Sequence, residues 1–216
     1  MTPFVNVLWG IQMLGTSSGG DDTNTTSHDV ALPAGTEVGD VNVISFRISV
    51  DSGGDVTPTV ITIPAGWALV GSHTGTRVVS RKRESGDPTT VTFTTDNDRR
   101  HAYAVHRWGG AHGDVEASAF GNPPGHNTVT PSWGSARTGY IAMISTRKTD
   151  LTFVAPANYG SQVDATSDAG GSDLIDQCSV SAAHRILASA SEQPGDWGVT
   201  GTISQGFTVA IAVRPA

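Results

Sequence analysis

Apolar residues in this chain recur at every second position over short runs, and glycine, proline or aspartate ends each run. The clearest run is Val41 to Val50, where Ile44, Phe46, Ile48 and Val50 share one face. Ser45, Arg47 and Ser49 share the other with Val41 and Val43. A second clean run, Phe207, Val209, Ile211 and Val213, closes the chain. A side-chain period of two belongs to an extended strand, because successive Cβ atoms point to opposite faces. Turn residues follow at once: Asp51 to Asp55 (DSGGD), Pro64-Ala65-Gly66, Gly86-Asp87-Pro88 and Asn122-Pro123-Pro124-Gly125.

Composition points the same way. The chain holds 26 Gly and 11 Pro, and lysine occurs only at Lys82 and Lys148. Strong helix formers are few, while Thr, Val and Ile suit a pleated surface. With turn signals about every 8–12 residues, the expected fold is all-β: a β-sandwich or jelly roll of about ten to twelve short, mostly antiparallel strands. A sequential meander is the simplest pairing. A helix over Asp173 to Ser189 is a weaker reading, given the β-branched residues and Ser there. A chain of 216 residues can bury a core without disulfides or metal.

The division expected is an N-terminal arm and linker over residues 1–30 and one sandwich domain over 31–216. Phe4, Val5, Val7, Leu8 and Trp9 read as a first strand or docking arm, packing on its own domain or against a neighbouring subunit. Gly15 to Thr26 (GTSSGGDDTNTT) reads as a loop or linker. No basic residue precedes the apolar stretch, so a secretory signal is not expected, and no stretch approaches the ~20 apolar residues of a membrane helix.

A net charge of −7 argues against nucleic acid or anionic membranes as general partners, because phosphate contacts need a basic surface. Arg77 to Glu84, with its long basic side chains, reads as an exposed or edge strand. Cys178 is the only cysteine; it allows no intrachain disulfide and reads as a small core residue.

Catalytic and metal motifs lack their contexts. Gly15-Thr16-Ser17-Ser18-Gly19 matches G-x-S-x-G, yet a polar Thr-rich segment follows it where a nucleophile elbow needs a helix. His106, His112 and Asp114 lie close in sequence without zinc-site spacing. Asp96-Asn97-Asp98 resembles the start of a calcium loop but lacks the turn glycine and the distal glutamate. Asp164, Asp168, Asp173 and Asp176 form an acidic loop that reads as solvated. The four glutamates, Glu37, Glu84, Glu116 and Glu192, form no evident glycosidase pair. No catalytic residue, metal or cofactor is expected. Of the five tryptophans, Trp67, Trp108 and Trp133 follow turns or end strands, where core-edge packing is the default. Trp133 and Trp197, with Tyr159, are the candidates for contact with a ligand or partner through loop aromatics.

The run Ile61-Thr62-Ile63-Pro64-Ala65-Gly66-Trp67 resembles a family of small β-sandwich virion proteins of tailed phages and prophages. The similarity continues through Arg77 to Glu84, Gly86-Asp87, Val91-Thr92-Phe93-Thr94, His101 to Gly110 and a C-terminal Gly-Asp-Trp turn. It covers residues 35–215 as a pattern, and its motif residues are fold-defining: Gly66, Trp67, Gly86 and Asp87. It implies a non-enzymatic virion protein, assembled in the host cytoplasm and exposed as a head decoration, spike or tail appendage. The expected partners are other virion proteins and further copies of the chain, a trimer first, with Phe4, Val5, Leu8 and Trp9 as the anchoring contact. The alternative is a carbohydrate-binding module that recognises a cell-surface glycan.

Overall fold

The computed structural model describes residues 10–49, 60–147, 150–167, 177–203 and 205–216. Among them are thirteen strands and no helix. The first sheet contains β1 (Gln12–Ala31), β2 (Val41–Ile48), β3 (Ile61–Thr62), β4 (Ala68–His73), β5 (Thr76–Lys82) and β6 (Thr90–Gly109). Its order is β1-β6-β2-β5-β4, with β3 paired to β6. The second sheet contains β7 (Ala111–Ala117), β8 (Ala136–Thr146), β10 (Gly160–Ser167), β11 (Cys178–Ser189) and β13 (Gly206–Pro215), in the order β10-β11-β8-β13-β7. The short strands β9 (Thr152–Val154) and β12 (Gly198–Thr200) pair separately. All pairings are antiparallel.

The fold is therefore an all-β sandwich, but it is not a sequential meander. Neighbours such as β1 with β6 and β8 with β13 are far apart along the chain. The order matches burial: β2, β8 and the end of β13 are buried on both sides, and each lies inside its sheet.

Between the sheets lies a core of Val41, Val43, Val78, Trp108, Ile141, Val180 and their neighbours. A second apolar layer covers the outer face of the first sheet. There β6 bends, so that its first half, with the end of β1, lies over its own second half. Phe93 stacks on Phe46 of β2, with ring centroids 4.2 Å apart and planes at 4°. Val30, Val91, Ile44, Val79 and Val105 pack around that pair. Strand β2 is accordingly buried on both faces, not one, and even Arg47 is 1% exposed. The Arg47 guanidinium donates to Thr74 O at 2.6 Å and Thr76 Oγ1 at 2.9 Å. The β9–β12 pair and the loops around it cover the outer face of the second sheet, where Phe153 and Trp197 meet Ala142, Ile144 and Ala183.

Three local expectations are corrected here. Gly15 to Thr26 is not a linker: it lies within β1, paired to β6 over most of its length. A Cβ at Gly20 would come 2.6 Å from Thr166 O and 2.7 Å from His101 O. The small residues thus let β1 pass close to β10 and β6, and what resembled flexibility is close packing. Strand β1 runs on to Ala31, so residues 12–31 belong to the first sheet. Strand β5 is no edge: it lies between β2 and β4, and Arg77 folds back onto its neighbours' carbonyls. Asp96 to Asp98 does not separate two strands but sits within β6 at its bend, opposite register shifts in β1. Residues 178–189 are strand β11.

Candidate functional site

The motif residues Gly66, Trp67, Gly86 and Asp87 meet at one corner of the first sheet, and the side chain that joins them is Arg81 of β5. After β3, Pro64-Ala65-Gly66-Trp67 forms a turn closed by the Trp67 amide donating to Pro64 O at 3.2 Å. Gly66 takes φ +81°, and a Cβ there would overlap Nη1 of Arg81. Only glycine lets that guanidinium lie against the turn. Arg81 then donates from Nη1 to Ala65 O at 3.2 Å. Its Nε and Nη2 hold the two carboxylate oxygens of Asp87 at 2.8 Å and 2.6 Å. This is a bidentate, charge-assisted pair with defined geometry. Gly86, at φ +87°, turns the chain so that Asp87 also accepts from the Glu84 amide at 2.8 Å. That amide, and then Arg81, hold the Asp87 carboxyl below its ordinary range.

The corner walls a cavity of about 310 Å³ between the outer face of β2 and β5 and the folded-over ends of β1 and β6. Trp67, Pro64, Pro88, Leu32 and Val91 supply apolar walls. Arg83 sits at the side, donating to Asp87 O at 2.8 Å and Pro88 O at 3.2 Å. Those partners are neutral carbonyls, and among the described residues no carboxylate pairs with its charge. Asn42 also lines the cavity; it is 2% exposed, and its Oδ1 has no partner among the described residues. One indole face, aliphatic walls, an amide and a guanidinium are groups for holding an amphipathic ring. Asp87, held as an anion by the Glu84 amide and Arg81, is a poor proton donor and a weak base.

Trp133, Tyr159 and Trp197 lie on the outer side of the second sheet, and Tyr159 packs with both tryptophans' clusters. Each polar atom is engaged. Trp133 Nε1 donates to Thr138 Oγ1 at 2.9 Å. The Tyr159 hydroxyl donates to Glu192 Oε1 at 3.0 Å, and the Arg185 guanidinium lies 5.1 Å above its ring while also pairing with Glu192. Trp197 is 2% exposed, and its Nε1 donates to His126 Nε2 at 3.2 Å. These rings pack against the sheet and form no flat, exposed platform. Phe4, Val5, Leu8 and Trp9, like Asp168, Asp173 and Asp176, lie outside the described residues.

The His106 ring is fully buried between the sheets against His184, 5.8 Å between centroids. His112 instead pairs with Asp114 at the surface, at 3.2 Å. The two histidines diverge, and among the described residues no group of three metal-ligating side chains gathers. Cys178 is fully buried, and burial pushes its thiol up to about 12. Ser17 of the G-x-S-x-G match lies in mid-strand and donates to Ala31 O at 2.6 Å.

The sequence reading missed Asn42, Arg81 and Arg83 as cavity residues. A signal was present for one of them. Asn42 extends the face of Ile44, Phe46 and Ile48, and a polar residue continuing a buried apolar stripe marks a special site. Comparison with protein-family models, with curated proteins and with solved structures finds no match for this chain.

Proposed function

We propose that the chain is a non-enzymatic structural protein of a tailed-phage-like particle, displayed on the virion as a head decoration, spike or tail appendage. Its partners are other virion proteins and further copies of itself, a trimer first. Phe4, Val5, Leu8 and Trp9 form its anchoring contact. Host attachment through a surface glycan is one use of such an appendage.

The observation that carries this reading is the corner at Arg81. The residues through which the chain resembles phage virion proteins, Gly66-Trp67 and Gly86-Asp87, are far apart in sequence. One guanidinium, that of Arg81, bonds Ala65 O in the first turn and the Asp87 carboxylate in the second. A side chain bonded to both turns supports reading them as one structural unit rather than as scattered turn residues. The closed form of the sandwich also suits a protein displayed on a surface. At one side β10 meets β1, with Ser167 Oγ donating to Asp21 O at 2.6 Å. At the other β5 meets β7, with Lys82 Nζ donating to His112 O at 3.2 Å. Such closure limits the open strand edges that would recruit unwanted partners.

The test is electron microscopy of particles released by producing cells, with a gold-labelled antibody against the sandwich. Regular labelling at one location is the expected result. Particles that stay unlabelled would overturn the proposal.

A further inference from the structure

We propose that the cavity beside Trp67 is a binding site for a single acidic sugar unit, a hydroxylated ring that carries one carboxylate. This inference deepens the host-attachment reading above and rests on it for its biological use, but the site is argued from its own groups.

At about 310 Å³ the cavity lies at the small end of ligand pockets. It fits one ring with its substituents, not a chain of them. A sugar ring has an apolar C–H face and a hydroxyl edge, and the cavity has the same division. The indole of Trp67, with Pro64 and Pro88, offers a flat apolar wall for the C–H face. Thr90 offers a hydroxyl at the rim, while Thr92 Oγ1 donates to Asp29 Oδ1 at 2.7 Å. The Asn42 amide lies at the floor with Oδ1 unpartnered among the described residues. A buried polar atom left without a partner costs about 1–3 kcal/mol. A ligand hydroxyl reaching it, with a small turn of the amide, removes that cost.

The charge follows from bookkeeping of pairs. Arg81 and Asp87 pair at two contacts, and the exposed Glu84 carboxylate lies 3.8 Å from Arg81 as well. Behind them, Arg107 Nε is paired with Asp40 Oδ2 at 2.6 Å. Arg83 lines the same cavity and gives its described hydrogen bonds to carbonyls alone. On a chain whose net charge is −7, the cavity therefore presents one guanidinium, that of Arg83, with no carboxylate within 4 Å among the described residues, although Asp87 feels its charge. A carboxylate on the ligand would pair with that guanidinium.

The experiment is ligand-observed NMR and calorimetry on the purified full chain, with glucuronate and glucose as probes and Trp67→Ala and Arg83→Gln as variants. Circular dichroism and denaturant midpoints confirm that both variants are folded. The expected result is saturable binding of glucuronate at least about tenfold tighter than glucose, consistent with one charge-assisted hydrogen bond. Trp67→Ala abolishes it, and Arg83→Gln brings the two sugars to similar weak affinity. Failure to bind glucuronate, equal affinity for both sugars, or binding that survives both substitutions would each overturn the inference. None of these results bears on particle association, which is read on virions and not on the isolated chain.

Discussion

The Arg81 guanidinium lies directly against the backbone of Gly66, in the space where any other residue would place its Cβ. Gly66→Ala must therefore both hold φ near +81° and push Arg81 away from Asp87. Gly86 makes the comparison. Its φ is +87°, but nothing lies within 4 Å of a Cβ built there. Gly86→Ala should cost only the left-handed backbone, about 1 kcal/mol. Gly66→Ala should cost roughly 3 kcal/mol, because a bidentate pair is broken as well. Urea midpoints of the two variants read the difference directly.

Phe93 packs its ring on Phe46 and holds the folded-over half of β6 to the sheet. Both rings are fully buried. Phe93→Ala should lower stability by about 3–5 kcal/mol. It should also raise hydrogen exchange in the first half of β6 more than in the second, since Ala102, Ala104 and Trp108 belong to the core between the sheets and not to the Phe93 cluster. Uniform exchange along β6 would contradict the layered arrangement.

Stability should fall with acidification well before the carboxylates titrate. Burial pushes the His106 imidazole down to about 3, with His184 beside it adding to the shift. Burial also pushes His28 and His126 down to about 4. In the unfolded chain a histidine titrates near 6.5. Above that pH both states are neutral and no stability depends on these groups. Below it the unfolded state takes protons that the folded state refuses, so stability declines from about pH 6.5 down to about pH 3. Denaturant midpoints at pH 7.5, 5.5 and 4.5 should decrease in that order. His106→Leu should flatten the decline.

Trp197→Ala separates packing from contact. The ring is buried against Phe153, 6.3 Å between centroids at 82°, and tied to His126. The substitution should cost about 3–5 kcal/mol. A variant with unchanged stability would show that the ring is dispensable to the fold and free for a partner.

The fold class was legible because alternation and turn residues are local signals. Ile44, Phe46 and Ile48 announce their strand, and Phe207 to Val213 announce theirs. What was not legible depends on contacts distant in sequence. The glycines of β1 have the same composition as a linker, and only the approach of Thr166 and His101 makes them a strand. Asp96 to Asp98 has turn chemistry, yet the apolar stack of Phe93 on Phe46 uses that segment as a bend within one strand. The cavity was invisible for the same reason. Trp67, Asn42 and Arg83 lie on three separate segments, and only the fold of β6 over β2 encloses the space between them.

The central claim is that this sandwich belongs to a particle. The direct measurement is quantitative mass spectrometry of gradient-purified particles from cells producing either the native chain or a variant with Phe4, Leu8 and Trp9 replaced by Ser. The account predicts the native chain in the particle fraction at a fixed ratio to the major virion proteins. It predicts the Ser variant folded but confined to the soluble fraction. A native chain absent from the particles would contradict the account, and a variant incorporated normally would contradict the anchor.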